Sequence, residues 1–247
     1  MLSSLRHLSR SALAGLPLLL PASCALCGAS ARDNLCGACK SRFFGMHAPR
    51  CRSCAMALPQ AAGKHEICGQ CLRKTPSFDA TVVACNYTAP HDRLALGLKF
   101  GGSLQFAPLM AAVIRDAMLQ QDKLELPQLL AVVPLGNARL AERGFNQALE
   151  IARPLSRMLG VPLQAQLLLR QRETRAQSLL HPDERQKNVR GAFVVSAQSI
   201  DLVRGRHVGM VDDVMTTGDT LNEVAATLKR FGAARVTNFV FARTPQH

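Results

Sequence analysis

The chain of 247 residues is long enough for one domain of ordinary size plus a smaller one, and its 48% hydrophobic content excludes an intrinsically disordered protein. Thirty Lys and Arg against 17 Asp and Glu give a formal net charge of +13, which favours phosphates, nucleic acid or acidic membranes as partners. Aromatic residues make up only 4%, which argues against a wide platform of rings for stacking nucleobases.

Residues 1–22 are predicted to form an amphipathic segment that packs on the rest of the chain. A short helix would place five leucines on one side: Leu2, Leu5, Leu8, Leu16 and Leu19. A signal peptide is the alternative, because Arg6 and Arg10 precede the apolar run 12–20. Pro17 and Pro21 interrupt that run. No apolar run reaches the roughly 18 to 20 residues needed to span a bilayer, so no transmembrane segment is predicted.

Residues 23–75 contain eight cysteines in four C-x2-C pairs. The pairs are Cys24/Cys27, Cys36/Cys39, Cys51/Cys54 and Cys68/Cys71. Two such turns supply the four thiolates, at about 2.3 Å, that a tetrahedral zinc ion accepts. The segment is therefore predicted to hold two structural Zn2+ ions in a double zinc ribbon. A disulfide framework and a redox C-x2-C motif are the alternatives, but four repeats exceed what one redox centre needs.

Sequential pairing of the four knuckles is favoured because shorter loops cost less closure entropy, and a cross-braced arrangement is the alternative. So small a segment has little core of its own, so bound zinc would supply much of its folding free energy. Cys85 stands alone on an apolar stretch and is predicted to be a buried core thiol.

Residues 76–247 are predicted to form an α/β domain with a mainly parallel sheet and flanking helices. The predicted strands are 80–85, 130–133, 161–162 with its neighbours, 192–195, 208–211 and 236–241. The predicted helices are 91–98, 103–119, 139–159 and 220–231.

The segment from His207 to Leu221 indicates a phosphate-binding turn. A hydrophobic strand delivers Asp212 and Asp213 to its carboxyl end, where ligands bind in open α/β sheets, and a carboxylate pair suits vicinal hydroxyls. The following loop consists of Thr216, Thr217, Gly218, Asp219 and Thr220. Its backbone amides can converge on one phosphate at the start of a helix, and Gly218 permits close approach of the backbone.

This segment resembles the 5-phosphoribosyl-1-pyrophosphate signature of type I phosphoribosyltransferases: a hydrophobic stretch, two acids, then T-x-G-x-T. A Walker B strand is the rival interpretation, but the only Gly-Lys pair, at 63 and 64, has Leu58 where its P-loop requires glycine. A helix cap that merely carries two acids is the other alternative.

The wider chain, from about Cys24 to Arg243, resembles the ComF family of competence-related proteins. The resemblance rests on the cysteine knuckles, Lys99 with Gly101, the stretch VVPLGNARLAERGFNQALEIAR at 132–153, the R-x-R-x-T-x2-Q pattern at 170–177, and Arg185, Asn188 and Phe193. It implies a double zinc ribbon followed by a type I phosphoribosyltransferase fold. It also implies a cytoplasmic protein, in some members linked to natural transformation and to imported single-stranded DNA.

Within the resemblance, one group of residues corresponds to the pyrophosphate side of the site: Lys99, Pro134, Leu135, Arg139, Arg143 and Asn146. Mg2+ and such cations stabilise the charge that develops on a departing pyrophosphate. A solvated helix face is the alternative interpretation of Arg139 and Arg143. The charged segment 170–190, the hood, is predicted to be mobile and to close over substrate, with a nucleic-acid contact as its alternative role.

Two functions follow as hypotheses. The first is an Mg2+-dependent phosphoribosyltransferase whose accepting nucleophile and catalytic residue are unknown, because Thr216 stands where several relatives carry an Asp base. The second is an adaptor that binds single-stranded DNA or a DNA-import helicase and uses the sugar-phosphate site for sensing. Residues 1–100 carry 12 basic and 4 acidic side chains, a net charge of +8, which favours a polyanion contact there.

Overall fold

The computed structural model of the protein describes residues 22–31, 34–45, 49–59, 66–121, 124–172 and 188–245. The chain divides into two compact units, Met1–Gly45 and Met46–His247. The predicted amphipathic segment, apart from residue 22, and the hood residues 173–187 lie outside the described residues. The predicted domain bounds at 22/23 and 75/76 stay predictions.

The first unit contains the first two cysteine knuckles on little regular structure. Strands β1 (Ala22–Ser23) and β2 (Ser30–Ala31) pair antiparallel, and helix α1 spans Gly37–Phe44. Cys36 is the N-cap of α1, and its Sγ accepts a hydrogen bond from the Cys39 N–H at 3.4 Å. The thiol thus takes the place of the oxygen that usually caps a helix.

The second unit is built on a four-stranded parallel sheet. Its strands are β3 (Ala80–Asn86), β4 (Leu129–Val132), β7 (His207–Met215) and β8 (Arg235–Arg243), in the order β3-β8-β7-β4. Strands β5 (Leu168–Arg170) and β6 (Phe193–Val195) form a separate antiparallel pair. The helices are α2 (Gly69–Arg73), α3 (His91–Phe100), α4 (Phe106–Leu119), α5 (Asn137–Arg143), α6 (Gln147–Leu159), α7 (Ile200–Val203) and α8 (Asp219–Arg230), with a short 3-10 turn at Ala197–Ser199. The predicted α/β class with a parallel sheet is confirmed.

Two predicted elements differ from the structure. The helix expected over 139–159 is two helices, because Gly144 ends α5 in the left-handed region (φ +76°) and Asn146 caps α6. The strand expected near 161–162 is a single parallel bridge between Leu130 and Leu163 at the β4 edge of the sheet.

The sheet has an apolar layer on each side. Helices α4 and α6 contact each other and the strands. An apolar cluster joins alternate strand residues, such as Val83 and Val240, to α8 and to the cysteines of the last two knuckles (51, 54, 68 and 71), called here the second cysteine group. That cluster includes Cys51 and Ala55, each only 1% exposed, so the second group belongs to the core of the α/β unit. Cys85 is also 1% exposed, as predicted. Within the described residues, no helix combines the length and apolar character needed to cross a membrane.

Candidate functional site

The site lies where the parallel strand β7 ends and α8 begins. Asp213 is 7% exposed, and Asp212 beside it is partly buried. Gly218 forms the N-cap of α8 with φ +92°, a conformation that side chains with a Cβ rarely adopt. The Asn222 N–H donates to the Gly218 carbonyl at 2.8 Å. The backbone N–H groups of residues 219–221 therefore precede the helix's own hydrogen-bond ladder, which is the arrangement that binds anions.

A cavity of about 330 Å3, called here the site cavity, connects this turn to side chains from distant parts of the unit. It is lined by residues 212–221 and by Tyr87, Leu96, Lys99, Phe100, Val133, Arg139, Arg143 and Arg170. The acid pair, the predicted phosphate loop and four cationic side chains therefore share one cavity.

Lys99, in the last turn of α3, pairs with one of the two acids. Its Nζ lies 2.9 Å from Oδ2 of Asp213. Burial alone would lower the pKa of Lys99, but the carboxylates of Asp213 and Asp212 outweigh it and raise that pKa. Lys99 therefore stays charged in the cavity and is available to an anion as well as to Asp213.

The three arginines come from two different parts of the chain. Arg139 and Arg143 lie on α5, and the Arg143 guanidinium stacks over the Phe100 ring at 5.3 Å from its centroid. The Nε of Arg143 is buried without a hydrogen-bond partner among the described residues, as expected of a donor that serves an anionic ligand. Arg170 ends β5, and its Nη1 donates to the Pro134 carbonyl at 3.3 Å.

Asn146, also predicted for the pyrophosphate side, supports the cavity wall at Val133. Asn146 accepts hydrogen bonds from the backbone N–H groups of Ala148 and Leu149, and its Nδ2 donates to the Val133 carbonyl at 3.0 Å. Its amide is thus engaged in capping α6 and in holding the end of β4. Neither Asn146 nor Pro134 nor Leu135 is among the residues that line the site cavity.

Sequence reasoning did not assign Arg170, Tyr87 or Phe100 to the cavity. Tyr87 and Phe100 are single aromatic residues at the ends of elements, and no local motif marks them. Arg170 carries a signal, because it opens the R-x-R-x-T-x2-Q pattern, but that pattern lies in the segment predicted to be the hood.

The eight paired cysteines gather in two groups in the sequential arrangement. Within each group, 24/27/36/39 and 51/54/68/71, all four Sγ atoms lie within 4.8 Å of one another. The Cys27–Cys36 and Cys54–Cys68 sulfur separations are 3.7 and 3.6 Å. A tetrahedron with bonds of about 2.3 Å has edges of about 3.8 Å, so both groups fit a zinc ion with four thiolate ligands.

The thiols of the second group share protons unequally. A hydrogen bond from the Cys54 side chain, opposed by burial, lowers the pKa of Cys51 to about 4. The pKa of Cys54 is raised in turn, because the same hydrogen bond holds a proton on its sulfur. Because zinc binds thiolates, the ion would have to displace the protons that remain in the group.

We expect the purified protein to carry two zinc ions per chain and no disulfide among the eight paired cysteines, all of which are free in the structure. Elemental analysis should give a zinc-to-protein ratio near two. Titration of thiols released after metal removal should recover all eight together with Cys85. A ratio near zero, or linked pairs in freshly isolated protein, would contradict both assignments.

The acid pair should make stability depend on pH. Burial, followed by the neighbouring Asp213 carboxylate, raises the pKa of Asp212 to about 8, whereas an Asp in an unfolded chain titrates near about 4. The folded protein therefore keeps a proton that the unfolded chain releases, so stability falls as the pH rises from about 4 to about 8. Because partial exposure screens the charge, Asp212→Asn should be more stable than the native chain by only on the order of 2 kcal/mol at about pH 9.

Urea denaturation of both chains at about pH 4 and about pH 9 measures this difference. The difference in unfolding free energy between the variant and the native chain should be small at the lower pH and should increase as the pH rises. Equal stability at the higher pH would mean that Asp212 ionises there without cost.

Two family models match two separate segments of the chain. Residues 15–77 match the double zinc ribbon domain, and residues 146–247 match the phosphoribosyl transferase domain. Fold and site thus define a phosphoribosyltransferase-type α/β protein with a double zinc ribbon.

Two relatives are similar to this chain over most of its length. The DNA utilization protein YhgH of Escherichia coli (strain K12) is 33% identical, covering 92% of this chain and 99% of that protein. Competence protein F of Haemophilus influenzae is 32% identical, covering 86% and 92%. The glutamine phosphoribosylpyrophosphate amidotransferase structure from B. subtilis covers 54% of this chain and 26% of that one, with 20% identity and a TM-score of 0.35. The chain belongs to the ComF family of YhgH and competence protein F.

Proposed function

We propose that the protein binds 5-phosphoribosyl-1-pyrophosphate with Mg2+ in the site cavity and transfers the phosphoribosyl group to an acceptor. The observation that carries this proposal is the convergence in one cavity of an acid pair, a helix-start loop and four cations. Each of these three parts matches one part of the substrate: two ring hydroxyls, a phosphate monoester and a pyrophosphate.

The loop residues 216–220 would receive the 5-phosphate. Backbone N–H groups at the start of α8 can donate hydrogen bonds to it, and the helix dipole favours a negative charge at this position. Asp212 and Asp213 would accept hydrogen bonds from the ribose hydroxyls. Lys99 and the arginines at 139, 143 and 170 would hold the pyrophosphate.

Mg2+ fits the donor chemistry of the site. This ion prefers carboxylate and phosphate oxygens and keeps several of its waters, so it needs only one or two protein ligands. Asp212 and Asp213 supply carboxylate oxygens beside the loop. When bound with the substrate, the ion would neutralise part of the pyrophosphate charge.

In the proposed transfer, the bond between ribose C1 and the pyrophosphate oxygen breaks, and pyrophosphate leaves with the electron pair. A nucleophilic atom of the acceptor forms the new bond to C1. Lys99 and the arginines stabilise charge that grows on the leaving oxygen, which lowers the barrier. The loop offers the hydroxyls of Thr216 and Thr217 and no basic side chain at these two positions, so an acceptor whose nucleophilic atom needs no deprotonation before attack suits the site.

Titration calorimetry with phosphoribosyl pyrophosphate, with and without Mg2+, tests binding, and a screen of nucleobases for pyrophosphate release then tests transfer. Ribose 5-phosphate and pyrophosphate alone should each bind more weakly than the whole molecule, since each occupies part of the cavity. Absence of binding at millimolar substrate with Mg2+ would exclude the proposal. Binding without release by any acceptor would limit the site to sensing.

A second function is favoured by the charge of the amino-terminal part and by the names of the relatives, which refer to DNA utilization and competence. In this alternative, a cytoplasmic adaptor binds single-stranded DNA or a DNA-import helicase. Affinity for a single-stranded oligonucleotide should fall steeply with salt, because bound phosphates release counterions. Salt-insensitive binding, or none, would remove the DNA form of this function.

A further inference from the structure

A buried arginine connects the second cysteine group to the start of the phosphate loop. Arg243 is the last residue of β8 and is 2% exposed. Its Nε donates to the Cys54 carbonyl at 3.2 Å, and its Nη1 donates to the Met215 carbonyl at 3.1 Å. Cys54 belongs to the metal group, and Met215 immediately precedes Thr216. One guanidinium therefore bridges two elements that are far apart in sequence.

The charge of Arg243 has no carboxylate partner in the described part of the chain. A buried, uncompensated charge costs several kcal/mol in general, so a nearby negative group is expected. Burial lowers the pKa of the guanidinium, and the sulfurs of Cys54, Cys71 and Cys68 oppose that change. A zinc ion with four thiolate ligands carries a net charge of −2 and would compensate Arg243.

The segment after the second cysteine group also contacts the helix that follows the phosphate loop. The Ser77 N–H, four residues after α2 ends, donates to Oδ1 of Asn222 in the first turn of α8 at 2.7 Å. A cavity of about 530 Å3 has Cys54 and Cys71 on its wall together with loop residues 217–219. The loop is thus held from Met215 on one side and from Asn222 on the other.

We propose that Arg243 is a positioning residue that couples zinc occupancy of the second cysteine group to the geometry of the phosphate loop. With zinc bound, the negative cluster holds the guanidinium in place, and the guanidinium holds the Met215 carbonyl from which the loop departs. A group without the metal lacks that charge, so the guanidinium and the loop lose a common anchor. The loop part of this inference rests on the proposed sugar-phosphate function.

Arg243→Met keeps an unbranched, buried side chain and removes the charge and both hydrogen bonds. Competition with a zinc-binding dye should show one of the two zinc ions held at least about tenfold more weakly, since a buried hydrogen bond to a charged group is worth ten- to a hundredfold in affinity. Calorimetry on the zinc-loaded variant should show phosphoribosyl pyrophosphate binding weakened by a similar factor. Arg243→Lys, which keeps the charge, should recover most of the zinc affinity.

Arg50→Met is the matched control. Arg50 also joins the second cysteine group to the sheet, through the Ala55 carbonyl at 3.0 Å and Oδ1 of Asn86 at 2.8 Å, and neither of these contacts involves Met215. The Arg50→Met change should lower thermal stability. It should leave the substrate affinity of the folded, zinc-loaded protein within about twofold of the native value.

Reciprocity separates coupling from simple destabilisation. In the native chain, the substrate should tighten the second zinc ion by the same factor by which that zinc ion tightens the substrate. This mutual effect should vanish in Arg243→Met and persist in Arg50→Met. Native values for both ligands in folded Arg243→Met, or an unchanged mutual effect, would overturn the proposal.

The zinc measurement does not depend on the substrate. If the native chain binds no phosphoribosyl pyrophosphate, the proposed function fails, whereas weaker zinc binding in Arg243→Met would still support its role as the counter-charge. If the substrate binds but zinc affinity is the same in both chains, the coupling fails and the proposed function stands.

Discussion

Gly218→Val is expected to weaken sugar-phosphate binding more than about a hundredfold while the α/β unit remains folded. A valine at φ +92° costs on the order of 1–3 kcal/mol of backbone strain. A Cβ at this position would also lie 2.5 Å from Cε of Met215, so the side chain beneath the loop must shift. Both effects would redirect the N–H groups that are proposed to bind the phosphate. Calorimetry with phosphoribosyl pyrophosphate and Mg2+ measures the loss.

Gly160→Val provides the matched control for backbone strain. Gly160 ends α6 with φ +66°, and an added Cβ would meet nothing within 4 Å. This variant should lose similar stability in urea and keep native substrate affinity. Native affinity in a correctly folded Gly218→Val protein would instead mean that this loop does not bind the phosphate.

Asp213→Ala is expected to reduce the affinity for phosphoribosyl pyrophosphate by about ten- to a hundredfold. The change removes a carboxylate that would accept a ribose hydroxyl, and hydrogen bonds to charged groups are worth about 1.5 to 3 kcal/mol. It also leaves Lys99, whose side chain is 22% exposed, without its 2.9 Å partner. Asp213→Asn should lose less, because its amide oxygen can still accept the hydroxyl.

Asp79→Ala is the corresponding control for loss of an ion pair. Asp79 pairs with Lys229 at 2.8 Å and accepts a hydrogen bond from the Val236 N–H, near the amino end of β8. It is therefore remote from the carboxyl ends of the strands, where the site cavity lies. We expect lower stability with unchanged affinity. Equal affinity of Asp213→Ala and Asp79→Ala would remove Asp213 from the site.

The sequence predicted the β7–loop–α8 part of the site because all its determinants are local. A hydrophobic run, two acids and a Thr- and Gly-rich turn occupy 15 consecutive residues, His207–Leu221, and each residue type has one physical use there. The structure gives Gly218 the positive φ that the pattern anticipates. The contact of this loop with a sugar phosphate stays a prediction.

The break between α5 and α6 was predictable in principle. Apolar spacing continues from Arg139 to Leu159 and indicates one helix, but Gly144 and Asn146 are the residues that end one helix and cap the next. Asn146 therefore caps α6 as well as holding the end of β4, and its place in the resemblance to the ComF family gives no sign of the cap.

The placement of Arg170 and of Arg243 depends on tertiary contacts, which the sequence pattern does not predict. Arg170 enters the site cavity because β5 and β6 pair across a segment of more than 20 residues, and no periodicity reports such pairing. Arg243 looks like the polar end of a strand, since its partners, Cys54 and Met215, are 189 and 28 residues away. Only the fold shows that it is buried.

The two cysteine groups differ in how closely they are tied to the core of the α/β unit. Cys51, Ala55 and Cys71 fill positions in the same apolar cluster as Val240 and Leu228, so another insert at this place would have to match their shape. The first group belongs to a different compact unit, which ends at Gly45. A change in the second group must therefore be matched by changes in the α/β core, whereas the first group is carried by a unit of its own.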